Sequence, residues 1–263
     1  MQNTLLTLIM VCLSFSCIAY EPLSFAKLQT LLTEPSRSTE DKQHDANRQP
    51  AQIMRFASVA SGQSILDIYA GGGWYSELFA RAVGEHGKMY AHNDALTWRF
   101  GKKEMLARSK RQILKNMMRF DQVAIKDIPL PSSSIDIAFM GINYHDLFFT
   151  HRYRNGELQI MRNEVVDYRE AFSHIKNLLK PEGVLIIIDH HAKAGSGYDA
   201  ANDLHRIDAN IVKYQLQSLG FSLKEEAFYL QNPNDDLEQS VFAKGIRGKT
   251  SRFILKFGKA EQH

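Results

Sequence analysis

Three consecutive glycines, Gly71-Gly72-Gly73, constrain this chain more than any other feature of its sequence. They follow an apolar run of strand length, residues 64–68, and precede residues 77–83, whose apolar side chains have helical spacing. Glycine has no Cβ, so the turn can adopt positive φ and a ligand can approach its backbone closely. A strand, a glycine turn and a helix in this order predict an open α/β sheet with a nucleotide site above the turn.

Two ligand-binding motifs compete for this turn, and a glycine turn without any ligand is a third interpretation. The dinucleotide motif G-x-G-x-x-G/A is matched only in part, because Ser76 occupies its last place. The motif acid-x-G-x-G-x-G, found in the Rossmann-like S-adenosylmethionine methyltransferases, is matched by Asp67, Gly71 and Gly73. Tyr69 stands where that motif has its first glycine. We favour the second motif, because a carboxylate within the strand suits a ligand with an ammonium group and no phosphate.

Composition limits the size of the fold and the kinds of site it can hold. The chain has 263 residues, which suits one α/β domain with extensions or at most two small domains. A formal net charge of +3 is too small to indicate a nucleic-acid partner, and we expect none. Both cysteines, Cys12 and Cys17, lie in an N-terminal apolar run, so the rest of the chain can form neither a disulfide nor a thiolate metal site.

Residues 1–19 have the pattern of a secretory signal peptide. An uncharged apolar run from Leu5 to Ala19 is shorter than the roughly 20 residues that a membrane-spanning helix needs. Small residues follow it, which suits cleavage after Ala19. We therefore predict a periplasmic or secreted protein. The alternatives are an uncleaved membrane anchor through residues 5–19 and a buried helix.

The remaining chain divides into an N-terminal helical extension with a polar linker or lid, residues 20–60, and a main domain, residues 61–263. In the main domain, strands alternate with helices until the last strands follow one another directly. This order predicts a doubly wound, mostly parallel seven-stranded sheet with an antiparallel C-terminal hairpin. The third strand is expected at residues 122–125, a loop at residues 153–162, and the two arms of the hairpin at residues 240–245 and 252–257.

A long stretch with helical spacing, residues 96–119, is strongly basic. Glu104 is its one acidic residue, against Arg99, Lys102, Lys103, Arg108, Lys110, Arg111, Lys115 and Arg119. The stretch predicts a solvated helix face. The alternative is a weak contact of residues 99–119 with an anionic substrate or a membrane surface.

Polar clusters follow the predicted strands, where open α/β sheets bind their ligands. Asn93-Asp94 ends the second strand, Lys126-Asp127 follows the third, and residues 142–146 follow the fourth, which spans residues 135–141. Residues 189–191 end the most apolar run of the mature chain. Because the carboxyl ends of parallel strands meet at one edge, we expect these clusters to border one site.

Side chains in these clusters can take up a proton during catalysis. The candidate catalytic bases are His145, Asp146, Asp189, His190 and His191. For each of them the alternative is a buried polar group whose hydrogen bonds are satisfied. Metal binding by His145, His190, His191 and His205 with nearby acids is a further alternative. We predict no metal, because the histidines lack a close spacing such as H-x-x-x-H.

Over roughly residues 50–258, the order of these features resembles the Rossmann-like (class I) S-adenosylmethionine-dependent methyltransferases. The glycine motif supports this, together with Asn93-Asp94, Lys126-Asp127, the strand that holds Asp136 and the turn at residues 179–183. A more specific set makes the chain similar to an uncharacterised bacterial family of predicted methyltransferases, many of which carry export signals. That set includes Asn143-Tyr144-His145-Asp146, Asp189-His190-His191-Ala192 and Leu204-His205-Arg206-Ile207-Asp208.

The resemblance implies S-adenosylmethionine as the cofactor and methyl transfer to an unidentified acceptor, most simply a small molecule, by in-line displacement. The implied cofactor-binding residues are Asp67, Tyr69, Gly71 and Gly73 for the methionine part, Asn93 or Asp94 for the ribose, Asp127 for the adenine amine, and Gly141 and Asn143 for the pocket floor. Two other classes stay open. One is a binding protein for a nucleoside or small molecule without catalysis, since an exported protein meets little of this cofactor. The other is a nicotinamide-dependent oxidoreductase.

Overall fold

The computed structural model describes residues 20–111 and 114–261. Its strands are β1 (Ser64–Ile68), β2 (Lys88–Asn93), β3 (Met117–Asp121), β4 (Ile135–Gly141), β5 (His151–Arg154), β6 (Glu157–Ile160), β7 (Leu179–His190), β8 (Phe221–Ala227) and β9 (Arg252–Lys259). Seven of them form one sheet in the order β3-β2-β1-β4-β7-β9-β8. The strands β3, β2, β1, β4 and β7 are parallel, and β9 is antiparallel to both β7 and β8. The predicted fold class is therefore confirmed.

Helices cover both faces of the sheet. They are α1 (Phe25–Thr33), α2 (Thr39–Gln43), α3 (Asp45–Arg48), α4 (Pro50–Phe56), α5 (Trp74–Val83), α6 (Ala95–Lys110), α7 (Tyr168–Leu178), α8 (Asp199–Asp203) and α9 (Ala209–Ser218). Successive strand residues point to opposite faces, so Leu185 and Ile187 of β7 join one core while Ile186 and Ile188 join the other. Burial on both faces explains why β7 is apolar almost throughout.

The N-terminal extension packs onto one of these two cores. Leu28 of α1 and both Ile53 and Met54 of α4 are fully buried against the face that α5 also covers. Among the described residues, no helix combines the length and the apolar character needed to cross a bilayer. The predicted signal peptide, residues 1–19, lies outside the described residues.

The predicted third strand and the predicted long helix are both wrong in their bounds. The helix α6 ends at Lys110, and the first three residues of β3, Met117–Asp121, fall in the stretch that the sequence assigned to the helix. Methionine and arginine favour helices, so β3 carries a helical signal. It forms as a strand because it pairs with β2 at the edge of the sheet, where tertiary contacts override propensity.

Two further predictions are wrong for residues 240–245 and 153–162. The partner of β9 in the antiparallel pair is β8, and residues 240–245 lie in the long irregular connection between these strands. Residues 153–162, predicted as a loop, contain most of the hairpin β5–β6. Asn155 and Gly156 at its tip both have positive φ, which is the type I′ turn that an Asn-Gly pair favours. The sequence contained this signal.

Candidate active site

A cavity of about 1140 Å³ lies at the carboxyl ends of the parallel strands. The glycine turn after β1 and the residues after β4 border it, so it occupies the point where the strand order reverses. Residues of α2, α3 and α6 form further walls, together with the end of the connection between β8 and β9. The polar segment predicted as a linker or lid, residues 36–49, therefore borders the cavity through two short helices.

The glycine turn alternates between left-handed and ordinary backbone. Tyr69, Gly71 and Gly73 have φ values of +58°, +56° and +80°. These are the three positions that the methyltransferase motif assigns to glycine. A left-handed tyrosine costs roughly 1–2 kcal/mol, and the buried ring of Tyr69 offsets this by stacking on His92 at 5.7 Å between ring centroids. The backbone of Gly71 faces open space, since a Cβ there would meet no atom within 4 Å.

The turn is fixed from two sides. Asn93 at the end of β2 accepts a hydrogen bond from the Gly71 N–H at 2.9 Å and donates one to the Gly71 carbonyl oxygen at 3.1 Å. From the other side, α6 packs directly on the turn at Gly101. A Cβ on Gly101 would lie 2.2 Å from the Gly71 carbonyl carbon. The close approach of α6 to the turn therefore requires glycine at position 101.

Replacing Gly101 with alanine is expected to destabilise the protein by about 2 kcal/mol. Alanine in a helix normally gains about 1 kcal/mol over glycine, but the clash with the Gly71 backbone outweighs this gain. Urea denaturation measures the free energy of unfolding, and Lys102→Ala, at the exposed neighbouring position, is the control. A G101A variant as stable as the wild type would contradict the direct packing of α6 on the turn.

Asp67 at the end of β1 is a buried carboxylate that borders the cavity. Its exposed fraction is 2%, and the Ser76 hydroxyl donates a hydrogen bond to Oδ2 at 2.6 Å. Burial raises the pKa of Asp67 to about 7, against the opposing effect of the Ser76 hydrogen bonds. No basic side chain of the described residues forms an ion pair with it. The carboxylate is therefore suited to a cationic group of a ligand.

Two arginines and a tyrosine border the same cavity. Arg48 of α3 lies over the Trp74 ring at 4.6 Å, and Arg252 donates a hydrogen bond to the Asn47 carbonyl oxygen at 2.6 Å. Neither forms an ion pair within the described part of the chain, and burial lowers the pKa of both. The buried hydroxyl of Tyr75 has no hydrogen-bond partner there. Its pKa is raised to about 12 by burial, with smaller effects from Arg48, Arg252 and Asp67.

An ionic cluster joins α2 to the glycine turn. Arg108 of α6 pairs with Asp41 of α2 at 2.9 Å and with the buried Glu77 of α5. Its Nε also donates a hydrogen bond to the Gly72 carbonyl oxygen at 3.0 Å. Arg111 pairs with Glu77 as well, at 2.6 Å. Two basic residues of the stretch 99–119, Arg108 and Arg111, therefore bind α2 and the buried Glu77. Four others, Arg99, Lys102, Lys103 and Lys110, are exposed, as predicted for a solvated face.

A second polar group borders the cavity after β4 and β7. Asp189, fully buried at the end of β7, accepts a hydrogen bond from the His145 backbone N–H at 2.8 Å. Its carboxylate also contacts His145 Nδ1 at 2.9 Å, which leaves Nε2 free of this pair. His145 Nε2 lies 3.5 Å from Asp146 Oδ1 and 3.3 Å from His205 Nδ1. His145, Asp146 and His205 all border the cavity.

The electrostatics of this group differ from residue to residue. Burial alone would lower the pKa of His145, but Asp189 and Asp146 outweigh it and raise the pKa to about 9. Burial raises the pKa of Asp146 to about 6, and burial lowers the pKa of His205 to about 3. His205 has a φ of +55°, and its ring packs against Phe149 and Phe242.

The two remaining predicted catalytic residues, His190 and His191, border different cavities. His190 borders the cavity, and its Nδ1 lies 2.6 Å from the Thr250 hydroxyl oxygen. Burial lowers the pKa of His190 well below its usual value. His191 points away from this cavity. Its ring packs on Phe253, and it borders a smaller cavity of about 260 Å³.

The predicted cofactor-binding residues are also divided. Asp67, Tyr69, Gly71, Gly141 and Asn143 border the cavity. Gly73 and Asn93 do not border it: Gly73 is the N-cap of α5, and Asn93 holds Gly71 from behind the turn. Asn143 Nδ2 donates a hydrogen bond to the Tyr69 carbonyl oxygen. Asp94 does not border the cavity, because its carboxylate caps α6 and pairs with Arg162 at 2.6 Å. Asp127 is exposed in a single 3₁₀ turn, Ile125–Asp127, outside the cavity.

Sequence reasoning missed Arg48, Tyr75 and Arg252 as site residues. Arg48 lies in a polar segment without periodicity, and Arg252 is 204 residues further along the chain. No local pattern connects them. Tyr75 lies two residues after the last glycine, and its place in the first turn of α5 was the one available signal.

Solved structures share this fold. A methyltransferase from Aquifex aeolicus that depends on S-adenosylmethionine has a TM-score of 0.55 at 19% identity, over 89% of this chain and 98% of that chain. Geranyl diphosphate C-methyltransferase from Streptomyces coelicolor has a TM-score of 0.56 at 15% identity, over 92% and 90%. An arsenic(III) S-adenosylmethionine methyltransferase from Chlamydomonas reinhardtii has a TM-score of 0.54 at 14% identity, over 89% and 73%.

At these identities the likeness establishes the fold and nothing finer. The chain has the fold of the class I S-adenosylmethionine-dependent methyltransferases. No protein-family model matches the sequence, and no curated protein matches it significantly.

Proposed function

We propose that this protein binds S-adenosylmethionine above its glycine turn and transfers the methyl group to a small acceptor by in-line displacement. One observation supports this most strongly. S-adenosylmethionine ends in a free amino acid, with an ammonium and a carboxylate. The cavity wall beside the turn has side chains of opposite charge for both groups. Asp67 suits its ammonium, and Arg48 and Arg252 suit its carboxylate. The unpartnered Tyr75 hydroxyl, on which all three charges act, is left to hydrogen-bond the same end.

The methionine end of the cofactor therefore fits the residues present. The open backbone of Gly71 adds room for close approach, since no atom lies within 4 Å of where a Cβ would be. At the ribose end Asp94 is already paired with Arg162, so ribose hydroxyls compete with that arginine for the carboxylate. The predicted adenine contact through Asp127 gains no support, because Asp127 lies outside the cavity. Asp67 and Glu104 beside the turn disfavour a pyrophosphate, and hence the nicotinamide alternative.

When bound, the cofactor supplies an electrophilic methyl group on a sulfonium. The chain's own residues align the acceptor, exclude water and take up the acceptor's proton. His145, Asp146 and His190 border the same cavity. Asp146 and His190 are unprotonated near pH 7 and can accept that proton, whereas the raised pKa of His145 leaves it protonated there. Asp189 acts through His145 as a positioning residue, because its carboxylate contacts Nδ1 and not the cavity. His191 has no role in this proposal, since it borders the other cavity.

Replacing Tyr75 with phenylalanine is expected to have opposite effects on stability and on binding. Removing a buried hydroxyl without a partner stabilises the free protein by about 1 kcal/mol. Losing its hydrogen bond to the ligand weakens S-adenosylhomocysteine binding by about tenfold. Thermal unfolding and calorimetry measure the two effects, and Tyr214→Phe, at an exposed tyrosine, is the control. Equal affinity in Y75F and wild type would remove Tyr75 from the proposed site.

Ligand binding is expected to release a proton from Asp67. The free carboxyl has a pKa of about 7, so at about pH 6 it is mostly protonated, and a ligand ammonium lowers its pKa and ionises it. Calorimetry in buffers of different ionisation enthalpy should give close to one proton released at about pH 6. At about pH 7.5 it should give roughly a quarter of a proton. If the measured binding enthalpy at about pH 6 did not depend on the buffer, Asp67 would not contact the ligand ammonium.

The runner-up is a protein that binds the nucleoside without catalysis. Both proposals require binding, and only the enzyme converts S-adenosylmethionine to S-adenosylhomocysteine when acceptors are supplied. Export of the protein, or its anchoring through residues 5–19, stays a prediction, as does the closer resemblance to the exported bacterial family. Cell fractionation tests the location, because a purely cytosolic protein would contradict export.

The exposed basic face of α6 supports the alternative of a weak contact with a membrane surface. Arg99, Lys102 and Lys103 are exposed there, beside an exposed Phe100. Cosedimentation with vesicles that contain anionic lipid tests this contact, with neutral vesicles as the control. Equal recovery with both kinds of vesicle would contradict it.

A further inference from the structure

We propose that His145, Asp146 and His205 form a binding site for a divalent transition-metal ion of the zinc class. The site goes beyond the proposed function and does not depend on it. From the sequence, a metal site at His145, His190, His191 and His205 is an alternative that we set aside, because His145 and His205 are 60 residues apart and share no spacing motif. The fold brings His145, after β4, beside His205, in the link between α8 and α9.

Distances between the candidate ligand atoms carry the proposal. One nitrogen or oxygen from each of the three side chains lies within 4.8 Å of the others. His145 Nε2 is 3.3 Å from His205 Nδ1 and 3.5 Å from Asp146 Oδ1. Ligand atoms at roughly 2.1 Å from a tetrahedral ion lie about 3.4 Å apart. The two measured distances therefore match the edges of a tetrahedral coordination shell.

Asp189 gives His145 the arrangement that metal-bound histidines usually have. A histidine that binds a metal through one nitrogen commonly donates its other N–H to a carboxylate, which fixes the ring. Here the Asp189 carboxylate contacts His145 Nδ1 at 2.9 Å and also accepts the His145 backbone N–H. This leaves Nε2, with its lone pair, on the side of Asp146 and His205.

The charge of the surroundings favours a cation at this point. Asp146 belongs to the proposed site and Asp189 contacts its His145, and the two carboxylates are largely and wholly buried, respectively. Arg162, the nearest basic residue of the neighbouring loop, pairs with Asp94 at 2.6 Å, so these two charges offset each other. Arg152 also borders the cavity, and its positive charge opposes a cation there. In the metal-bound state His145 is neutral, so among the described residues two carboxylates face the uncompensated charge of Arg152 and leave the surroundings of the ion net acidic.

Three protein ligands leave a coordination position for a substrate atom or water, as in catalytic zinc sites. All three residues border the main cavity, so this position faces the space where the acceptor is expected. Phe149 and Phe242 pack against the His205 ring, with centroids at 4.5 Å and 4.9 Å, and hold it in place. Two imidazoles and a carboxylate suit Zn²⁺ and other ions of that series. A bound ion lowers the pKa of a coordinated hydroxyl or thiol, which suits a nucleophilic acceptor.

The competing interpretation is a direct hydrogen bond between the two imidazoles, with no ion. A titration of the EDTA-treated protein with Co²⁺, in the absence of any methyl donor, separates the two. The site predicts one Co²⁺ bound per chain, with visible absorption bands of a four- or five-coordinate ion, and displacement of the Co²⁺ by Zn²⁺. Absence of these bands in the folded wild-type protein would overturn the proposal.

The Co²⁺ affinities of three variants test whether the ion binds at this site. His205→Ala should weaken Co²⁺ binding by at least about 100-fold, because it removes a ligand from a partly exposed position. Asp189→Asn should weaken it by about 10–100-fold, through the His145 ring alone. His86→Gln, which removes an exposed histidine far from the cavity, should leave affinity unchanged.

Circular dichroism checks that each variant is folded. Equal Co²⁺ affinity in wild type and H205A would contradict the site. Because the titration contains no methyl donor, its failure leaves the proposed methyl transfer untouched, and failure of methyl transfer leaves this site untouched.

Discussion

Asp67→Asn should weaken S-adenosylmethionine binding by roughly 100-fold, because the ligand ammonium loses the one buried carboxylate that meets it. The same substitution should stabilise the free protein above neutral pH. These opposite effects distinguish a binding role from general damage to the fold. Calorimetry measures the binding, and urea denaturation at two pH values measures the stability.

The sign of the stability effect follows from the pKa of Asp67. Burial raises it from 3.8 to about 7, so the folded state binds more protons than the unfolded state between these values. Stability from this group is complete below about pH 4 and is lost as the pH rises to about 7. The loss amounts to about 4 kcal/mol. Asparagine does not ionise and can still accept the Ser76 hydrogen bond, so D67N should exceed the wild type at about pH 8.

At about pH 5 the advantage of D67N should fall to roughly 2 kcal/mol, because Asp67 is then protonated in the folded wild type and only the unfolded chain, with a pKa of 3.8, still releases the proton. Asp203→Asn, at an exposed carboxylate, should change stability little at either pH. If D67N were less stable than the wild type at both pH values, the burial cost assigned to the ionised Asp67 would be wrong.

Arg206→Met should lower the free energy of unfolding by about 3–5 kcal/mol and the melting temperature by roughly 10 °C. Arg206 and Asp235 are both completely excluded from solvent at their side chains, and the guanidinium binds the carboxylate at 2.9 Å and 3.0 Å. Arg206 also donates hydrogen bonds to the carbonyl oxygens of His191 and Gln239. Methionine fills much of the space but leaves the Asp235 charge buried without its partner.

The double variant R206M/D235N tests whether the buried charge is the cause. It should be less destabilised than the sum of the two single variants, because it removes both charges together. Urea denaturation of the wild type and the three variants completes the cycle. Strict additivity would show that the two side chains do not stabilise each other. The pair matters for the site, since it anchors the connection that carries Val241, Phe242 and Thr250 to the cavity wall.

Much of the fold follows from the sequence because its signals are local. The strand that contains Asp67, the three glycines and the helix after them all occur where the sequence predicted them. The continuous apolar run before Asp189 became a strand buried on both faces. The bounds of β3 could not be predicted, because its residues favour a helix and only its pairing with β2 makes it a strand.

The site was less predictable because its residues meet through tertiary packing. Asp127 has the expected sequence position after the third strand, yet an actual strand ending at Asp121 moves it into an exposed turn. Asp94 is at the expected strand end, but Arg162 of a distant loop occupies its carboxylate. Arg48 and Arg252 face the same cavity from opposite ends of the chain. No spacing rule predicts such pairs.

Calorimetric titration of the protein with S-adenosylhomocysteine is the most direct test of cofactor binding above the glycine turn. We expect one site per chain, competition by S-adenosylmethionine, and loss of most of the affinity in D67N. A folded wild-type protein that gives no heat with either ligand at concentrations up to about 1 mM would contradict this expectation.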